Sequence, residues 1–404
     1  MRIHIVLFTV LAAVSLARPA TAQDPAQVEA LAPLLMLEDR RDFNAAALSR
    51  GLNDPDPLVR QIAVTAVARI GDHRGTRLLL PLLVDPKATV VTTTFFAMGL
   101  LRDSTSVDPI IARLRSPDSL SADAVGEAGT ALARIGGATA ARFLESVLSG
   151  AADLPQGRRA TMVPAALQDA WKLGALMPSA AMLRFTRDTS VDNRAHSLYS
   201  LGRLRVPTSG SAMLNALRDQ VPLIREIASK WLTKRFADTS GLAFAAVQGA
   251  LVRALEDEQP GIRINAVGSL ATFADSSNAK QMIPLLSDGD PNVRVAATSA
   301  LGEVKGSAAT RAIEAMMDKT NSIWAVKRAG LAALVKADTV AFARRAIAWL
   351  ASADFRDRTA ALQGWGSLAP ANPAVFRAAL SDADVRVQAA ALDAWRAEIG
   401  RAHV

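Results

Sequence analysis

The chain has 404 residues, half of them apolar, enough to bury a large core and to exclude disorder as a global description. It contains no cysteine, which excludes a disulfide framework, a thiol nucleophile and a lipid-anchored lipoprotein. Lys and Arg number 46 against 38 Asp and Glu, a net charge of +8 that reads as spread thinly over the length and selects no anionic partner.

Residues 1–22 read as a cleaved export signal. MRIH supplies a positive start, Ile5 to Ala17 is an apolar run bounded by Arg18, and Ala20-Thr21-Ala22 is a small-x-small cleavage site ahead of Gln23. The run is well short of the roughly 20 residues that a spanning helix needs. The mature chain is therefore expected to be exported, periplasmic or secreted, with no membrane insertion after cleavage.

A repeat fills the rest. With Arg60 as a ruler, an aliphatic residue stands just before it, small residues stand three and six places after it, and an apolar residue stands ten after it. The pattern returns at Val91, Val125, Val163, Arg194, Arg225, Arg263, Arg294, Lys327, Arg358 and Gln388, which makes eleven repeats. The match around Val163 is the loosest. Such a period marks a solenoid, whose repeats bury their apolar faces only against one another. Val59, Ala63, Ala66, Val67 and Ile70 share one helical face, so the ruler segment is the second helix of a repeat. Thr76 to Val84 and Ala279 to Leu286 exemplify the first helix, and an Asp-, Pro-, Asn- and Gly-containing turn joins the two. The expected fold is all-α: a superhelical α-solenoid of about eleven two-helix repeats over residues 23–397. Two longer steps place insertions near Ala151 to Gly157 and around Ala237 to Glu256.

Acids and bases recur with the same period. Six places before the ruler, seven of the eleven repeats carry Asp, namely Asp54, Asp85, Asp188, Asp219, Asp257, Asp288 and Asp382, and the ruler itself is basic in seven. An Asp there caps the second helix or holds the turn. The cation pairs with the Asp of its own repeat or of the next. A catalytic group is not needed many times over, so Asp54, Arg60, Asp219, Arg225, Asp257, Arg263, Asp288 and Arg294 are read as a structural ladder.

The wording D-x-D-P-x-V-R-x-x-A-x-x-A-L-x-x-I, as in Asp54 to Ile70 and Asp288 to Val304, resembles the HEAT repeat in its bacterial phycobilin-lyase-like variant. The resemblance runs from about Asp39 to Ala397 and departs from the pattern at Ser119, Gly157 and Asn321, which replace the Asp. It implies a curved binding scaffold and leaves the partner open. The opening L-E-D-R-R-D-F, Leu37 to Phe43, also resembles exported HEAT proteins that carry a cyclophilin-type peptidyl-prolyl isomerase domain downstream. That resemblance implies an alternative role as the substrate arm of an isomerase, although no residue of this chain performs isomerisation.

Material for catalysis is scarce. Between the signal and the tail the histidines are His73 and His196, in different repeats, and there is no phosphate-binding loop, zincin motif or nucleophile elbow. No catalytic, cofactor or metal residue is assigned, and the expected partner is a protein or peptide, not a nucleic acid. Nine places after the ruler, the flank of the second helix carries Arg69, Arg134, Lys172, Arg203, Lys234 and Lys336 against one acid, Glu303. Cations near a helix C-terminus complement its dipole, or they form a row able to engage acidic groups. Phe96, Trp171 and Tyr199 lie on the side of the second helix opposite its core and are candidate peptide anchors, whereas Trp231, Trp365 and Trp395 read as packing.

At the end of the chain Glu398 stands where the pattern asks for an apolar residue, and Ile399 to Val404, IGRAHV, resembles the translation of a sequencing adapter. Residues 398–404 are accordingly expected to be a non-native tail at a truncated end, leaving the last apolar face wet.

Overall fold

A computed structural model describes residues 25–319, 322–368 and 373–402; the expected export signal lies outside them. Every regular element among these residues is a helix. Helices pair and stack as an α-solenoid of HEAT-like repeats, in two compact units, Met1–Met182 and Leu183–Val404. The first holds repeats one to four and the second holds repeats five to eleven.

The second helices follow the ruler. They include Pro57–Ile70, Ala88–Leu101 and Ala122–Ile135 in the first unit, and Val191–Arg203, Pro222–Trp231, Pro260–Ala271, Pro291–Val304, Trp324–Ala337, Phe355–Ser367 and Val385–Ala402 in the second. Proline opens four of them, at Pro57, Pro222, Pro260 and Pro291, where its missing N–H is one the first turn leaves unbonded anyway. Repeat four departs from the pattern. Its second helix, Arg158–Asp169, contains Pro164 and runs on as 3-10 turns, Ala170–Leu176, across a kink at Gly174. The first helices vary: Ser307–Asp318 and Thr339–Leu350 are unbroken, but the two expected segments are split. Thr76 to Val84 divides into an α-helical turn, Gly75–Leu79, and a 3-10 segment, Leu80–Val84; Ala279–Met282 and Ile283–Ser287 do the same. Pro81 and Pro284 explain the change, because a proline inside a helix cannot donate to the fourth residue before it. An additional short helix, Lys234–Thr239, leads into the second expected insertion.

The core repeats with the ruler. Four places after it, the residue is buried in each of the first ten repeats, from Val64 through Thr298 to Leu362. In the eleventh, Leu392 is 51% exposed and Val385 is 71% exposed. The backbone of 398–402 continues the final helix.

Glycine sets the closest approach between repeats. A Cβ on Gly99 would lie 3.0 Å from the Ala131 Cα, one on Gly302 2.9 Å from the Ala333 Cα, and one on Gly366 3.0 Å from the Ala394 Cα. All three glycines stand eight places after a ruler and face the residue six places after the next one. The second helices thus meet backbone to backbone at one recurring point.

Candidate partner-binding face

The ladder forms, and its direction is forward. Arg60 donates through Nε and Nη2 to Asp85 of the next repeat at 2.7 and 2.9 Å, and through Nη1 to the carbonyls of Asp54 and Pro55 at 2.8 and 3.1 Å. The same fork joins Arg194 to Asp219, Arg225 to Asp257, Arg263 to Asp288 and Arg358 to Asp382. Arg294 holds the Asp288 carbonyl at 2.7 Å, and the corresponding acceptor position in the next repeat, 321, lies outside the described residues. At Gln388 the amide Nε2 keeps the bond to the carbonyl of its own turn, 2.7 Å from Asp382.

Of the two roles open to the recurring Asp, the turn is the one it takes. The Oδ1 of Asp54 accepts from the N–H of Asp56 at 2.8 Å, and all six other members accept in the same way from the residue two places on. Helix capping falls to the residue two places on where its side chain can accept, as when Asp56 accepts from Leu58 N, Asp290 from Asn292 N and Ser190 from Asn193 N, whereas Lys87, Val221 and Gln259 make no side-chain cap. Burial pushes the Asp85, Asp257 and Asp288 carboxyls up, but the arginine fork and the turn N–H outweigh it and hold all three below the ordinary aspartate value.

The flank of the second helix is a set of local pairs. In the first unit Arg69 reaches Glu38, Arg134 reaches Glu127 at 3.4 Å, and Lys172 reaches Asp169 at 2.6 Å. In the second unit Lys336 pairs with Glu303 across adjacent repeats. Four of the expected row are therefore paired with acids within the chain. Glu127 sits among these charges, and burial raises its carboxyl above the ordinary glutamate value despite Arg134.

The three candidate anchors are half-buried, with rings partly in solvent. Each has a flank cation beside it. Arg134 lies 5.5 Å from the Phe96 ring centre, Lys172 lies 5.7 Å from that of Trp171, and Arg203 donates to the Tyr199 hydroxyl at 3.4 Å. Lys234, the remaining member, covers Phe244 at 5.0 Å. Trp171 lies in the 3-10 continuation of repeat four and not on an α-helix. Trp365 packs edge-on against Phe342, Trp395 borders the last core cluster, and Trp231 lies against Gly202, so all three serve packing.

Two features escaped the sequence reading. Arg158 is a buried arginine whose guanidinium donates to the carbonyls of Leu114 at 2.8 Å, Ser116 at 2.7 Å and Asp118, closing the helix Val107–Arg115 from a distance of forty residues or more along the chain. Nothing local in the sequence marks it. The other is the distribution of charge. Residues 183–240 carry ten Lys and Arg against five Asp and Glu, so five of the eight net charges fall in repeats five and six and the excess is not spread evenly.

His73 is exposed in a turn and His196 is half-buried on Val191–Arg203. Among the described residues no cluster of three or more His, Asp or Glu is placed to hold a metal, and no helix is long and apolar enough to cross a membrane.

A model of HEAT repeats matches residues 248–335. Among solved structures the chain is similar to Kap95p in a structure with RanGDP, at 15% identity and a TM-score of 0.61, over 92% of this chain and 60% of that one. It is similar also to yeast importin-beta (Kap95p), at 15% identity, TM-score 0.56, and 93% and 58% coverage. Kap95 in the Kap95:Nup1 complex gives 14% identity, TM-score 0.58, and 90% and 57% coverage. The chain thus spans about 60% or less of these relatives' length, and at such identity the likeness is one of fold. No curated protein matches the sequence.

Proposed function

We propose that this chain is an exported scaffold that engages a protein or peptide on the flank of its second helices. The supporting observation is the recurrence of a half-exposed aromatic ring with a cation beside it: Phe96 with Arg134 and Trp171 with Lys172 in the first unit, and Tyr199 with Arg203 in the second. Aromatic side chains held in place by a neighbour lose little freedom on binding and supply large contact areas, which is why they recur at binding hot spots. Solved solenoids of the same fold engage proteins, as in the Kap95:Nup1 complex and the structure of Kap95p with RanGDP.

Panning a displayed random-peptide library against the mature chain tests the reading. Enriched peptides should bind more weakly to Phe96→Ala/Trp171→Ala or to Tyr199→Ala at unchanged helicity; absence of any enriched peptide would sink the proposal. The export half rests on residues 1–22. Mass spectrometry of protein recovered from the periplasm or medium should give an N-terminus at Gln23, and an intact Met1 on a cytoplasmic pool would refute it.

A second reading makes the solenoid the substrate arm of a peptidyl-prolyl isomerase, and its support is the Leu37 to Phe43 wording alone. Sequencing the intact locus tests it: a reading frame without an isomerase-like domain removes this alternative and leaves the scaffold untouched.

A further inference from the structure

Much of the net positive charge of the chain falls in repeats five and six. Ala195 to Arg218 contains no acid, and Ile227 to Leu255 contains only Asp238. Three contacts join the segments that carry these cations. Gly202, at the end of Val191–Arg203, abuts the Trp231 ring at the end of Pro222–Trp231, where a Cβ would lie 2.5 Å from the indole. The Lys234 N–H donates to Thr272 Oγ1 at 2.8 Å, just past Pro260–Ala271, and the Lys234 side chain covers Phe244 at 5.0 Å. Phe244 meets Phe273 edge-on at 5.5 Å.

Stability does not account for these charges. A cation in the last turn of a helix complements the dipole, as Arg203 and Lys230 do. Arg205, Lys234 and Arg235 lie beyond those turns, and all three are exposed. Arg205 holds a left-handed backbone, φ 50°, which glycine or asparagine adopts at less cost. Lys234 and Arg235 open the helix Lys234–Thr239 and close none, so its dipole disfavours them. Beside them two large apolar side chains, Leu204 and Phe244, are each 37% exposed. Lys234 gains its contact with the Phe244 ring, whereas Arg205 and Arg235 gain no such contact; cations so placed beside exposed apolar groups mark a binding surface.

We propose that Arg205, Lys230, Lys234 and Arg235, with Leu204 and Phe244 among them, dock an acidic segment of the partner protein that also carries apolar side chains. The proposal rests on the scaffold reading above and assigns that partner a chemistry. Carboxylates steer the encounter and pair with the cations, and an adjoining apolar side chain covers Leu204 and Phe244. A single-stranded nucleic acid meets the same charges, so the test separates the two.

The library selection on the mature chain should return peptides rich in Asp and Glu with interspersed apolar residues. One such peptide, labelled and titrated by fluorescence anisotropy, should lose affinity by on the order of tenfold against Arg205→Glu/Lys234→Glu/Arg235→Glu, the scale of about one or two lost charge pairs. The reversal Arg142→Glu/Lys280→Glu/Arg311→Glu, at exposed cations elsewhere, should change it little. If the first reversal lowers helicity, Lys234→Gln/Arg235→Gln serves instead, with a smaller loss in the same direction. Enriched peptides without an acidic bias, unchanged affinity in a folded variant, or an oligothymidylate bound as tightly as the peptide would each overturn the acidic-segment assignment while leaving the scaffold reading in place. A selection that enriches nothing overturns both.

Discussion

Arg263 donates to both carboxylate oxygens of Asp288, 25 residues ahead, at 2.8 and 2.7 Å, while its third nitrogen holds the carbonyls of Asp257 and Glu258 at 2.8 and 3.2 Å. One side chain thus fastens its own turn and couples it to the next repeat. Asp257, whose carbonyl is held here, uses its carboxylate to receive Arg225 from the repeat before, so the rungs share turns and form a chain. A planar fork with donors on both edges is needed for this, and lysine cannot supply it.

Arg263→Ala should therefore cost more than a surface ion pair. Both partners are largely shielded, with side-chain exposures of 16% and 12%, and the change leaves a carboxylate and two carbonyls without their donor. About 2 kcal/mol is expected from charged hydrogen bonds of this kind, and Arg263→Lys should recover only part of it. Urea melts of the single variants and of Arg263→Ala/Asp288→Ala check the coupling: a double variant as unstable as the sum of the singles would mean that the rung contributes nothing as a pair.

Acid should loosen the same chain. The carboxyls of Asp85, Asp257 and Asp288 are held below their ordinary value, so the unfolded chain binds more protons than the folded one as the pH falls. Their contribution to stability is full above the unfolded aspartate value of about 3.9 and is lost as the pH drops through the lower folded values. Stability should be nearly flat from about pH 7 to 5 on this account and fall steeply below about 4. Arg263→Ala should flatten that fall, because it removes the cause of one depression. An identical acid limb in wild type and variant would exclude the ladder as its origin.

How much of this was legible depended on whether a residue's role repeats. The ruler positions located the second helices, such as Pro57–Ile70 and Pro291–Val304, because the same face is buried each time. The ladder was legible as a pair of residue types but not as a direction, since spacing alone cannot say whether Arg60 turns back to Asp54 or reaches forward to Asp85. The flank cations looked like a row because their carboxylates do not repeat: Glu38, Glu127 and Asp169 stand at unrelated places in their repeats. Arg158 was beyond reach, for its acceptors are backbone carbonyls, which carry no sequence signature. Repeat four matched poorly for a physical reason, the break of its second helix at Asp169 into 3-10 turns.

Cation and ring should act together on the flank of the first unit. Arg134 lies over Phe96 and bonds Glu127, whose carboxyl burial pushes up. Arg134→Ala removes the charge compensating a largely shielded acid, so a loss of about 1–2 kcal/mol is expected. Arg134→Ala/Glu127→Gln should restore a good part of that loss by removing the buried charge. Thermal melts decide it: a double variant less stable than Arg134→Ala would show that Glu127 has another use for its charge.

Two glycines on neighbouring second helices should respond to alanine in opposite directions. Gly302 faces the Ala333 backbone, and a Cβ there would stand 2.9 Å from both the Cα and the Cβ of Ala333. Backbone cannot swing aside as a flexible side chain does, so Gly302→Ala must push repeats eight and nine apart, at about 1–3 kcal/mol. Gly268, on Pro260–Ala271, is exposed and has nothing within 4 Å of where its Cβ would be. There alanine only lowers the entropy of the unfolded chain and improves helix propensity, a gain of roughly 0.5–1 kcal/mol. The same substitution in the same kind of helix thus isolates the packing contact from propensity. Equal effects of the two variants in equilibrium melts would mean that the glycine eight places after the ruler does not set the distance between repeats.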